Sequence, residues 1–280
     1  YGTPAAPYDR AGRRVPGGSS SGAAVSVSDG MAVAGIGTDT GGSCRIPAAF
    51  CGIVGFKPTA ARVPLDGAFP LAKSLDSIGP LTRSVACAAA FDAVMAGEVP
   101  QPLPALPLSG LRLAAAQGLV VDGLELDVAT AYGEALSRLS VAGAIVGDVT
   151  FATLSRTPGL FAKGGISAAE AYALHRSTLQ ARGGDYDPKV RIRIEAGASQ
   201  SAADYLDLIE LRRRLVAEFD RETAPFDAVL MPTVAILPPP IALFGNHQSL
   251  EDYQRLNGLT LRNTAIANQL DRCAISLPLT

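Results

Sequence analysis

The sequence has no tryptophan, and aromatic residues make up only 6% of its 280 positions, so the expected core is aliphatic and alanine-rich. Only two histidines occur, His175 and His247, and neither sits in a recognisable motif. The four cysteines, Cys44, Cys51, Cys87 and Cys273, form no Cys-x-x-Cys pair and no metal-ligand spacing. They read as reduced thiols of a cytoplasmic protein, with no metal and no disulfide framework expected. No run of 18 apolar residues is present, so no membrane-spanning helix is expected, and no secretory signal is seen. The net charge of −2 provides no basic surface for nucleic acid or an anionic membrane. Lysine is scarce too: Lys57, Lys73, Lys163 and Lys189 are all there are. What is abundant is hydrophobic residues, 48% of a chain long enough to bury a large core.

Glycine is also plentiful, and it is clustered. Gly17-Gly18-Ser19-Ser20-Ser21-Gly22 and Gly41-Gly42-Ser43 are two serine-bearing glycine turns. Between them, Ala23 to Ala32 is small and weakly apolar, which suits a tightly packed helix, and Val33 to Gly37 suits a buried strand. The order turn, helix, strand, turn can return the chain and bring Ser19 and Ser43 together. Glycine admits positive φ and lets another group approach without meeting a Cβ. At Gly41-Gly42-Ser43 it can leave several amide N–H groups aimed into one small space, a nest for an anion or a developing oxyanion. A serine ending such a nest sits where a carbonyl carbon would be held.

Other readings of the same residues compete. Glycine turns also cradle phosphates, but GGSSSG lacks the P-loop lysine and GIGTDTGGS is not followed by a clean helix. Ser20 and Ser21 compete with Ser19 as the second serine, or act as helix caps. Cys44 adjoins Ser43, yet an adjacent side chain usually points away, so it is read as a buried filler. Asp39 and Arg45 are read as an ion pair bracing the turn rather than a grip on substrate. The Arg212-Arg213-Arg214 run reads as a solvated helix face, and both histidines as structural or surface residues.

Along the chain, Tyr1 to Arg14 is turn-rich, Gly52 to Pro58 is a strand or turn, and Val63 to Pro80 is a loop that wraps the site. Helices are predicted at Thr82–Met95, Leu124–Leu139, Ser167–Ala181 and Ser201–Asp220, the last opened by a Ser201/Asp204 capping box. Val99 to Leu108, with four prolines, is a connector. Strands are predicted at Leu111–Ala116, Ala144–Val149 and Asp227–Met231, and Leu237–Pro240 is a proline-rich loop. This βαβ rhythm points to an α/β fold with a parallel sheet covered by helices. No repeat or linker divides the chain, so residues 1–280 read as a single domain.

The run GGSSSG, GTDTGGSCRIPAAFCG, GFKPT and VPLDGAFPLAKSLDSIGPLTRSV strongly resembles the amidase signature family of serine hydrolases. Weaker echoes follow in the Asp204–Arg214 helix, in Val229–Ile241, and in Leu261–Pro278. The resemblance implies an α/β/α sandwich with a mixed, largely parallel central sheet. It implies a Ser-Ser-Lys triad in which Ser43 is the nucleophile and Ser19, after a cis Gly18–Ser19 peptide, is the bridging serine. The amides of Thr40, Gly41, Gly42 and Ser43 form the implied oxyanion hole. Leu259–Gln269 resembles the segment that lines the family's substrate pocket. No cofactor and no metal are implied. The expected partner is a small-molecule amide, with neither nucleic acid nor membrane expected and a homo-oligomer allowed.

The implied lysine lies well upstream of GGSSSG, and no lysine precedes Lys57 here. Tyr1 begins inside a familiar family segment and Thr280 ends short of the family's usual end, so the chain is expected to be a piece of a longer protein. A serine hydroxyl needs a base. Lysine serves once burial or its neighbours lower its pKa from about 10.4 toward about 7–8. Lys57 and Lys73 are candidate replacements that the family pattern does not support. The expected activity is hydrolysis of a carboxamide C–N bond through a Ser43 acyl-enzyme. The alternatives are the glutamine-hydrolysing subunit of a tRNA-dependent amidotransferase, and a non-catalytic fragment lacking its base.

Overall fold

The computed structural model describes residues 2–244 and 249–279. Helix α1 (Ser21–Ser28) starts directly after the first glycine turn and stops earlier than its sequence suggests, at the Asp29-Gly30 turn where Gly30 takes φ +74°. Its small side chains let it lie close on strand β1 (Ala34–Thr38): a Cβ at Gly35 would stand 2.9 Å from that of Ala23. The second glycine turn is followed by a helix after all, α2 (Arg45–Cys51). The sequence hides it because it is short and carries Pro47, but a proline in the first helical turn interrupts no helical hydrogen bond. Gly52, at φ +63°, ends it.

Strand β2 (Val54–Lys57) leads into the long segment 58–77, and then comes β3 (Ile78–Thr82), which the sequence pattern presents as the end of a loop. Gly79-Pro80 disguises it. Pro80 lies beyond the last β2–β3 pair, Gly55 with Leu81, so its missing N–H removes no bond on that side. Helix α3 (Val85–Met95) follows, capped by the Ser84 hydroxyl, which accepts from the Cys87 amide at 3.2 Å.

The remaining elements are β4 (Arg112–Ala116), α4 (Leu126–Val141), β5 (Ile145–Val149), α5 (Ala152–Arg156), α6 (Gly165–Arg182), α7 (Pro188–Glu195), α8 (Ala202–Thr223), β6 (Ala228–Leu230), α9 (Leu250–Gln269) and β7 (Ala274–Ser276). They contain the predicted βαβ unit together with three helices and a strand that the sequence pattern does not show, α5, α7, α9 and β7. Ser201 and Asp204 form the predicted capping box on α8. Strands β5, β4 and β6 make a parallel sheet in that order, and the signature strands make a second, antiparallel sheet ordered β1-β3-β2-β7. The fold is therefore α/β with mixed strand directions. Among the described residues no helix is long and apolar enough to cross a membrane.

Helix α9 joins the two parts. Its Ile266, with Leu270 just beyond its end, is buried in the core of the parallel sheet beside Leu215 and Phe219 of α8. Each such burial stabilises by about 1.5–3 kcal/mol, enough to seat the helix end firmly. The opposite face of the same turns, Thr264 and Asn268, reaches the second glycine turn.

Candidate active site

The two glycine turns do meet. The Ser20 amide donates to the Ser43 carbonyl at 3.2 Å, and the Gly18–Ser19 peptide is cis. Ser19 and Ser43 line one cavity of about 510 Å³ together with Thr38 and Thr40. The neighbouring serines are occupied elsewhere. Ser21 Oγ donates to the Gly17 carbonyl at 2.7 Å, and Ser20 Oγ lies 3.5 Å from the Thr38 carbonyl. Among the described residues, neither the Ser19 nor the Ser43 hydroxyl has a hydrogen-bond partner, so both are available to a ligand.

Beneath the second glycine turn lies a buried charged cluster. Arg45 donates from Nε to Asp39 Oδ2 at 3.0 Å and from Nη2 to Oδ1 at 2.8 Å, and both side chains are shielded from solvent. Asn268 on α9 donates to Asp39 Oδ1 at 3.0 Å, and Arg45 in turn donates to Asn268 Oδ1 at 2.7 Å and to the Thr264 carbonyl at 2.8 Å. Burial pushes the Asp39 carboxyl up, but the Arg45 charge and the hydrogen bonds from Arg45, Asn268 and the Cys44 amide outweigh it and hold it below the usual carboxylate range. A buried pair this completely hydrogen-bonded braces the turn, as the sequence suggests, and neither residue lines the cavity.

The same cluster engages one amide of the nest. The Gly42 N–H donates to Asp39 Oδ1 at 2.8 Å, inside the protein. Among the described residues, the amides of Thr40, Gly41 and Ser43 have no such acceptor. Gly42 is also the point of closest approach to α9. Its φ is +128°, and a Cβ there would stand 2.1 Å from Thr264 Oγ1, which itself donates to the Gly41 carbonyl at 2.8 Å.

Segment 58–77 forms the cavity's other wall, so the predicted wrapping loop is observed. Asp76 fastens it: one carboxylate oxygen accepts from Thr40 Oγ1, and the other accepts from the amides of Leu71 at 2.9 Å and Ala72 at 3.0 Å. Ser77 Oγ donates to the Asp39 carbonyl at 2.9 Å. Sequence reasoning missed Asp76; its place in the SLDSIGP block was the available signal. Lys73, Asp66 and Phe69 also line this wall.

The two candidate replacement lysines separate. Lys73 lines the cavity, whereas Lys57 is buried behind it, with Nζ donating to the carbonyls of Pro58 at 2.9 Å and Arg272 at 2.8 Å. Burial, then the nearby Arg45 charge, pulls the Lys57 pKa down. Cys44 is fully buried, and burial followed by the Asp39 charge pushes its thiol far up, which makes it inert as a nucleophile. His175 Nδ1 is 2.8 Å from the Tyr186 hydroxyl, a structural contact as expected, and His247 lies outside the described residues. The Arg212–Arg214 run departs from a solvated face: Arg212 turns inward and donates to the Gln269 carbonyl at 2.9 Å, satisfying the end of α9, while Arg213 and Arg214 pair with Glu210 at the surface.

Comparison with known proteins supplies the wider setting. The family model Amidase matches residues 1–280. A 2-amino-5-chloromuconic acid deaminase from Comamonas testosteroni is 36% identical, with 99% of this chain and 60% of that protein covered. A glutamyl-tRNA(Gln) amidotransferase subunit from a Synechococcus species is 35% identical, with 79% of this chain and 52% of that protein covered. A crystal structure described as an amidase superposes with a TM-score of 0.83 at 32% identity, over 94% of this chain and 59% of that one. The chain thus spans little more than half the length of these relatives. With its glycine turns, its two cavity serines and a family match along its whole length, the chain belongs to the Amidase family.

Proposed function

We propose that this chain carries the nucleophile and oxyanion site of an amidase that hydrolyses a carboxamide C–N bond to a carboxylate and ammonia or an amine. The observation that carries this reading is the convergence of Ser19 and Ser43 on one cavity. In it, Ser43 Oγ attacks the amide carbonyl carbon, and its proton passes to Ser19. The amides of Thr40, Gly41 and Ser43 stabilise the tetrahedral oxyanion, a contribution typically of about 2.7–4 kcal/mol per donor. The Gly42 amide holds Asp39 and so keeps the nest in shape. The leaving nitrogen takes a proton and departs, and water then releases the acyl group from Ser43.

Ser19 also faces a second, more open hollow of about 460 Å³, lined by Ser20, Ile36 and Thr38 as well. A base arriving there would reach Ser19 without occupying the cavity that Ser43 lines, which is what a bridging serine requires. Among the described residues no lysine, histidine or carboxylate is hydrogen-bonded to Ser19. Intact mass after exposure to a fluorophosphonate probe tests the reading, run on this chain, on a form extended before Tyr1, and on Ser43→Ala of each. Labelling of the extended form, lost with Ser43→Ala, is expected. A folded extended form that takes no label would sink it.

A second reading has its own support. The relatives at 35% identity include a glutamyl-tRNA(Gln) amidotransferase subunit. Glutaminase activity that appears only with added partner subunits would favour that role; hydrolysis of simple amides by the protein alone would favour a free-standing amidase.

A further inference from the structure

Lys73 is the ammonium group of the cavity wall, and nothing in the reaction proposed above uses it. We infer that Lys73 is a specificity-determining residue that binds a carboxylate at the far end of the amide substrate, so that the site takes monoamides of dicarboxylic acids. This rests on the reading of Ser19 and Ser43 as the reacting pair.

Three observations carry the inference. First, Lys73 lines the cavity that holds both serines. Second, it is uncommitted. Lys163 pairs with Asp204 at 2.8 Å, Lys189 lies over the Tyr253 ring and donates to the Phe244 carbonyl, and Lys57 donates to two carbonyls. Among the described residues, Lys73 alone of the lysines has no hydrogen bond, ion pair or ring contact. Third, its backbone is held in place. Ala72 and Leu75, on either side of it, are buried against Ile166 and Leu208. The amides of Leu71 and Ala72 donate to Asp76, and the Ser74 amide donates to Glu170 Oε2 at 2.9 Å. The anchored backbone fixes where the Lys73 side chain starts, so binding has only the side chain left to order.

Among the described residues neither carboxylate of the same wall, Asp66 or Asp76, is ion-paired with Lys73. Both oxygens of Asp76 are engaged by Thr40 and the two amides. Asp66 sits at the tip of the Leu65–Ala68 turn beside Gly67, around which a Cβ would meet no atom within 4 Å. It is on an open turn rather than an anchored segment. Lys73 is a poor fit for the role of base instead, because it is exposed.

Equilibrium binding to the folded Ser43→Ala chain tests this without any turnover, so a missing base cannot mask the result. The ligands are malonamate, succinamate, glutaramate and adipamate, each paired with the neutral primary amide of equal length. At least one anionic member is expected to bind about fivefold more tightly than its neutral partner, the upper range for an ion pair at an exposed lysine. That preference should vanish in Lys73→Met, persist in Lys73→Arg, and survive Asp66→Asn. Equal affinity for both series, no binding of either, or a preference that survives Lys73→Met would overturn the inference. Tighter binding of amino-substituted amides that is lost with Asp66→Asn but not with Lys73→Met would move the role to Asp66 and overturn it as well. Fluorophosphonate labelling at Ser43 is independent of all these outcomes.

Discussion

Asn268 and Asp39 are 229 residues apart in the chain, and the Asn268 side-chain amide donates to both the Asp39 carbonyl, at 2.9 Å, and its Oδ1. One side chain on α9 thereby holds the second glycine turn through its backbone and through its buried charge. The Arg45 guanidinium closes the arrangement from the other side.

Breaking this cluster should be costly. Arg45→Met leaves the Asp39 carboxylate buried without its cation, and a loss of about 3–5 kcal/mol is expected. Chemical denaturation of the variant against the parent measures it; a loss below about 1 kcal/mol would mean that the pair contributes little.

The same pair sets a pH dependence. The folded-state pKa of Asp39 is held below its unfolded value of about 3.9. Its contribution to stability is therefore fully present above that unfolded value and lost as pH falls through the lower folded one. Stability curves should steepen below about pH 4 in the parent, and that part of the slope should be missing in a folded Asp39→Asn variant.

Gly42→Ala forces a methyl group onto Thr264 and a side chain into a backbone region suited to glycine. We expect a loss of at least about 1–3 kcal/mol from backbone strain alone. A double-mutant cycle with Thr264→Gly, which removes both the Oγ1 at 2.1 Å and the Cβ at 2.5 Å, should recover most of the steric part and leave the strain. Full additivity of the two changes would show that the Gly42–Thr264 approach is not a constraint.

Ser19→Ala removes a hydroxyl that has no structural hydrogen bond among the described residues. The melting temperature should stay within about a degree, consistent with a change of less than about 0.5 kcal/mol. In the extended form, labelling at Ser43 should slow by about 10²-fold or more, the usual scale for losing a proton-transfer group. Unchanged labelling would remove Ser19 from the relay.

The thiols should sort by exposure. Cys44 and Cys51 are buried, with burial pushing Cys51 up to about 12 and Cys44 further, whereas Cys273 is exposed. Mild alkylation followed by peptide mapping should modify Cys273 and spare Cys44 until the protein unfolds. Early modification of Cys44 would reopen it as a reactive neighbour of Ser43.

The sequence by itself determined the elements whose signals are local. Glycine-flanked serines specify the two turns, Ser201 and Asp204 specify the start of α8, and alternating apolar runs and amphipathic stretches specify β4, α4, β5 and β6 within a residue or two. These depend on neighbours within a few positions, so the linear pattern carries them. Tertiary structure decided the rest. Gly79-Pro80 reads as a loop until β1 pairs with it and β2 parts before it. Gly42 reads as a free amide until Asp39, positioned by Arg45 and Asn268, accepts its hydrogen. Arg212 reads as solvent-facing until the end of α9 arrives with unsatisfied carbonyls. Lys73 and Lys57 read alike until one is carried to the cavity and the other is buried behind it. In each case the deciding partner comes from another part of the fold, and a buried polar group takes whatever partner the fold brings within reach.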